Sequence, residues 1–143
     1  MKKAFLITLF TVLLVNFAKA QELGIRVGSV TAGNVAIDGI FSTGKFSRLH
    51  ADLSFGDGVG ADLLWDFIYK PLGKEPINWY LGAGPYMQID DPFWLGVAGE
   101  IGLEYRFNSV PLAIGLDWRP RLSIVEVTDF HAEGFGFNVR YVF

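Results

Sequence analysis

The chain has 143 residues, 51% of them apolar, 15% aromatic and 19% charged, with 17 glycines and no cysteine. That is one domain's worth of chain. The low charge and many rings exclude a disordered tail, and the lack of cysteine excludes a disulfide scaffold or a thiolate metal site. A pI of about 5.3 argues against nucleic acid, which selects a basic face.

Residues 1–20 read as a cleavable signal peptide. Lys2 and Lys3 form a positive start, Ala4 to Phe17 an apolar run, and Ala18-Lys19-Ala20 a small-x-small cleavage site. The run is shorter than the roughly 20 residues that span a bilayer as a helix. The absence of a following cysteine argues against a lipoprotein. The mature domain is then 21–143. Loss of Lys2, Lys3 and Lys19 takes twelve basic residues to nine against fifteen acidic ones, a net charge of −6.

From there the apolar period is two, the period of a strand. Eight such segments lie near 22–29, 34–42, 47–56, 58–70, 77–90, 93–107, 112–125 and 134–143. In 47–56, Leu49, Ala51, Leu53 and Phe55 share one face, with Arg48, His50, Asp52 and Ser54 opposite. In 58–70, Val59, Ala61, Leu63, Trp65, Phe67 and Tyr69 alternate with Gly60, Asp62, Leu64, Asp66 and Ile68. In 93–107, Leu95, Val97, Ile101, Leu103, Tyr105 and Phe107 alternate with Gly96, Ala98, Glu100, Gly102, Glu104 and Arg106. Turn signals such as Gly-Asp-Gly and Asp-Asp-Pro separate the segments. Short connections predict antiparallel hairpins, and closure into an up-and-down barrel removes the open edges.

An eight-stranded barrel has room inside only for side chains, and the apolar face carries too many large rings to fit there. The opposite face is rich in glycine, which makes space for long charged neighbours. The sequence therefore predicts a transmembrane barrel with a polar interior and a lipid-facing aromatic exterior. The expected interior network is Asp38, Arg48, Asp52, Asp62, Asp66, Glu100, Glu104, Arg106, Asp117, Arg119 and Arg140, with Arg26 on the same face. With both termini in the periplasm, Phe41, Phe67, Tyr69, Tyr105, Phe107, Tyr141 and Phe143 end even-numbered strands and Trp79 begins the fifth. Together they form an expected girdle.

The mature chain, with its closing stretch GFGFNVRYVF, resembles the small outer-membrane β-barrel proteins of Gram-negative bacteria. The segments WYLGAGPYMQ, GVAGEIGLEYRF and LAIGLDWRPRL share that flavour. In such proteins the alternating Phe137, Val139, Tyr141 and Phe143 correspond to the signal read by the barrel-assembly machinery. The resemblance implies residence in the bacterial outer membrane as a monomer. It also implies contact with outer-membrane lipid, lipopolysaccharide, periplasmic chaperones and that machinery. The wall is porin-like, but the charges plug it.

The expected role is structural, for membrane integrity, with no enzyme activity, cofactor or metal. The alternatives are a lipid-modifying enzyme, such as a lipid A or phospholipid hydrolase or acyltransferase, and a soluble periplasmic lipid-binding barrel. The first rests on His50, Asp52 and Ser54, whose spacing of two along a strand is about 7 Å, too long for a direct triad. Asp129, His131 and Glu133 share the 126–133 connection and suggest a divalent-cation site, against a solvated loop. Arg119 and Arg121 flank Pro120, which predicts a bulge or strand end. Pairing of Arg119 with an interior acid outweighs contact with an anionic head group.

Overall fold

The computed structural model describes residues 4, 7, 8, 11, 12, 21–125 and 128–143. The signal-peptide reading of 1–20 falls almost wholly outside the described residues.

Alternating side chains and tight turns build ten strands. They are β1 (Glu22–Val30), β2 (Gly33–Gly44), β3 (Ser47–Gly56), β4 (Gly58–Pro71), β5 (Ile77–Ile89), β6 (Trp94–Arg106), β7 (Leu112–Trp118), β8 (Arg121–Ser123), β9 (Asp129–His131) and β10 (Phe135–Val142). Each neighbouring pair is antiparallel, and β1 also pairs with β10, from Glu22↔Val142 to Gly28↔Gly136. The result is a closed eight-stranded antiparallel barrel. Six walls are single strands, β7 with β8 makes the seventh, and β9 with β10 makes the eighth.

The seventh wall breaks at Arg119-Pro120. Proline has no N–H to give to a ladder, and its carbonyl accepts instead from the Gly99 N–H at 3.0 Å. Across the break, the Arg119 N–H donates to the Gly134 carbonyl at 2.9 Å. Beyond it, β8 pairs with β9 through Arg121↔His131. Part of the 126–133 connection expected as a loop is therefore strand β9. Residues 126 and 127 lie outside the described set.

Glycine sets the tight places. The β3–β4 turn leaves only Asp57 between strands, and Gly58 follows with φ of +79°, where L side chains are strained. On β1, a Cβ at Gly24 would lie 1.8 Å from the Val139 carbonyl oxygen of β10. Other glycines make room for large neighbours. A Cβ on Gly136 would lie 2.4 Å from Arg26 Cζ, and one on Gly102 2.3 Å from Tyr80 Cζ.

One expected girdle residue is misplaced. The β4–β5 register shifts between Asp66 and Ile68, so Phe67 is extra and the alternation inverts after it. Tyr69 then falls opposite the buried Tyr80 and turns its hydroxyl to Glu104 at 2.6 Å, away from the girdle. Phe67, Tyr105, Phe107, Tyr141 and Phe143 are exposed, while Phe41 and Trp79 are half-buried. Edge-to-face pairs join Tyr105 to Phe107 at 4.9 Å and Tyr141 to Phe143 at 5.1 Å. On β10, Phe137 is exposed and Val139 half-buried.

The Gly24 contact generates a prediction about barrel closure. Gly24→Ala lowers the unfolding free energy by about 1–3 kcal/mol through overpacking, read as a lower urea midpoint. Gly99→Ala, whose Cβ would meet its nearest atom at 3.8 Å, stays within about 0.5 kcal/mol of the parent.

Candidate functional site: a buried network of charges

Among the described residues, seventeen buried side chains are polar or charged and nine are apolar. Strand alternation delivers them: the parity that holds Gly60 on β4 also holds Asp62, Leu64 and Asp66, all buried.

One group centres on Glu104 of β6. Its carboxylate accepts from Arg48 Nη1 of β3 at 2.8 Å, from Tyr69 Oη at 2.6 Å and from Arg106 Nε at 3.1 Å. Arg140 of β10 also donates to it. Arg48 Nε donates to Asp66 Oδ2 at 2.9 Å, and its guanidinium carbon lies 4.2 and 4.5 Å from the ring centres of Tyr69 and Tyr80. Arg106, exposed by about a third, reaches Glu22 at 2.7 Å.

A second group centres on Arg119. It donates from Nε to Glu100 Oε2 at 2.9 Å, from Nη1 to Asp62 Oδ2 at 3.2 Å, and to Asp52. It thus ties β3, β4 and β6 to the seventh wall. Beside it, His50 Nδ1 faces Glu100 Oε1 at 3.0 Å, and its Nε2 meets Asp38. Each ring nitrogen thus faces a carboxylate oxygen. Arg140 Nη1 closes this group onto Asp38 Oδ2 at 2.9 Å.

The third group is a forked pair. Arg26 Nε and Nη2 donate to Asp117 Oδ1 at 2.9 and 2.5 Å. Asn138 Nδ2 adds a hydrogen bond to Asp117 Oδ2 at 3.1 Å.

Every residue of the expected network therefore has an opposite charge within salt-bridge reach. Sequence reasoning missed Glu22, Tyr80 and Asn138. The signal for each was its parity: Glu22 with Gly24 and Arg26, Tyr80 with Gly82, Asn138 with Arg140.

The candidate chemistry takes a different form. Ser54 Oγ accepts from the Ala32 N–H at 2.9 Å, and both nitrogens of His50 are committed to carboxylates. His50, Asp52 and Ser54 do not form a nucleophile–base–acid relay. Ligand atoms of Asp38, His50 and Asp52, and of His50, Asp66 and Glu100, lie within 4.8 Å of one another, a spacing that can hold a metal ion. Arg119 Nη2, however, lies 3.2 Å from His50 Nε2, and its guanidinium spans Asp52 and Glu100. The positive charge at this point is supplied by arginine. His131 sits 3.7 Å from Asp129 and 3.6 Å from Glu133, and both acids are exposed. That is the geometry of a solvated surface group.

No family model, curated protein or solved structure matches the chain.

The network generates a stability prediction. Arg119→Met strands the carboxylates of Asp52, Asp62 and Glu100, and loss of one partner from a buried ion pair costs about 3–5 kcal/mol. Denaturant unfolding reads this loss. Lys74→Met, at an exposed turn position, leaves the midpoint unchanged.

Proposed function

We propose that this chain is an integral outer-membrane β-barrel protein whose role is structural, in membrane integrity. The observation that carries the reading is the inversion of its two surfaces. Arg26, Asp38, His50, Glu104 and Arg140 are no more than about 2% exposed, while Trp65, Leu116 and Phe135 are 54, 62 and 70% exposed. In water, a contiguous apolar wall of that extent drives association. In a bilayer it faces hydrocarbon, and closure pairs β1 with β10 so that neither is left as an open edge.

Strand length agrees. β2 to β6 run 10 to 14 residues, against the roughly 9–11 residues a tilted strand needs to cross. The rings of Tyr105, Phe107 and Tyr141 gather near Leu112, which pairs with Tyr141 and bonds the Phe107 N–H. That clustering suits an interfacial girdle. A soluble lipid carrier needs an apolar cavity, and salt bridges fill this one. The reading includes an exported monomer in contact with outer-membrane lipid and lipopolysaccharide. Periplasmic chaperones deliver it, and the assembly machinery engages Phe137, Val139, Tyr141 and Phe143.

The test is fractionation of a Gram-negative host expressing the full chain, with boiled and unboiled samples compared by electrophoresis. The expected result is an outer-membrane band whose migration changes on boiling. A soluble periplasmic band would overturn the proposal.

A further inference from the structure

Among the described residues, Arg26, Arg48, Arg106, Arg119 and Arg140 each have a carboxylate oxygen within 4 Å. Arg121 on β8 has none. Its Nη1 donates to Thr31 Oγ1 at 3.1 Å and its Nη2 reaches Ser29 Oγ at 3.5 Å, so hydroxyls hold it in place with no carboxylate of the described residues in direct contact. Thr31 in turn donates to Asp62, which already serves Arg119.

Arg121 lines a cavity of about 330 Å³ at the end of the barrel that carries the β1–β2, β3–β4 and β5–β6 turns. Aromatic side chains form its walls. Tyr86 is buried with its ring centre 6.0 Å from the Arg121 guanidinium carbon, and Trp94 meets His131 edge-on at 6.1 Å. Two acids from different turns, Asp57 and Asp90, line the same cavity. Those turns touch: a Cβ on Gly58 would lie 3.0 Å from Asp90 Cβ. Neither acid has a basic partner within 4 Å among the described residues.

The cavity is thus lined by a guanidinium, two carboxylates and aromatic surface, with His131 beside them. A simple anion gains Arg121 but is repelled by the acids. A simple amine gains the acids but is repelled by Arg121. A molecule carrying both charges gains at both places, through charge-assisted hydrogen bonds and ring–cation contact. We propose that this cavity binds small zwitterions bearing a phosphate or carboxylate and a primary ammonium a few carbons apart. Arg121 receives the anion, and Asp57 with Asp90 receives the ammonium. Phosphoethanolamine has this chemistry, as a free solute or as a lipid head group. The site depends on the barrel end alone, whatever medium surrounds the wall.

The test is calorimetric titration of the full-length protein in detergent micelles with O-phosphoethanolamine, inorganic phosphate and ethanolamine. The expected result is saturable binding of O-phosphoethanolamine at least about tenfold tighter than either fragment. Arg121→Gln abolishes it, while Arg121→Lys retains measurable affinity. The Asp57→Asn, Asp90→Asn pair erases the preference for O-phosphoethanolamine over phosphate. Migration of each variant before and after boiling shows that it has folded. Competition by micellar lysophosphatidylethanolamine supports the site with a head group as its source. Binding without such competition supports it with a free solute. Equal binding of the three probes, no saturable binding, or binding indifferent to Arg121→Gln in a folded variant overturns the proposal.

Discussion

Glu104 draws β3, β4 and β10 onto β6, because Arg48, Tyr69 and Arg140 all end on its carboxylate. A charge removed from water costs several kcal/mol unless an opposite charge and hydrogen bonds replace the solvent. This barrel buries Glu22, Asp38, Asp52, Asp62, Asp66, Glu100, Glu104 and Asp117 together. Its geometry is therefore set by the need to bring a guanidinium to each cluster of acids. Arginine suits that task, since one planar fork meets several carboxylates at once. Arg119 spans three walls in this way, and lysine has no comparable reach in a plane.

The same requirement explains the small residues. Long side chains must cross the barrel from one wall to another, and the wall they approach must yield space. Gly136 lies against the Arg26 guanidinium and Gly102 against the Tyr80 ring. Leu64, Tyr86 and Ala98 form a small apolar cluster, a minor component beside the ion pairs. Cohesion comes from directed polar contacts, which fix one arrangement of strands more sharply than interchangeable apolar contacts do.

Period-two patterning made the walls and the charge network legible from sequence, because a strand sorts its residues by parity alone. Part of what it missed lay where parity fails. The extra residue Phe67 inverts the pattern, and Tyr69 changes sides; nothing in Trp-Asp-Phe-Ile-Tyr marks a bulge. Pro120 did signal an interruption, but the short pairing of β8 with β9 beyond it depends on contacts made through space. Glu22, Tyr80 and Asn138 share the parity of Gly24, Gly82 and Arg140, so their burial was legible in the pattern. The cavity at the barrel end combines residues from Thr31 to His131, so no local pattern announces it. Arg121 stands out only once every other arginine has found its acid.

The seam between β1 and β10 joins positions more than a hundred residues apart. The hairpins of β2 to β6 are local and carry a small loop-closure entropy, whereas the seam carries the largest in the molecule. Contacts of such long range form late and slowly. Until β10 arrives, β1 and β7 each present a free edge that accepts any extended chain. Folding of this protein is thus a race between its own last strand and foreign strands. The close approach at Gly24, where the β10 backbone leaves no room for a Cβ on β1, makes glycine a condition of sealing that seam.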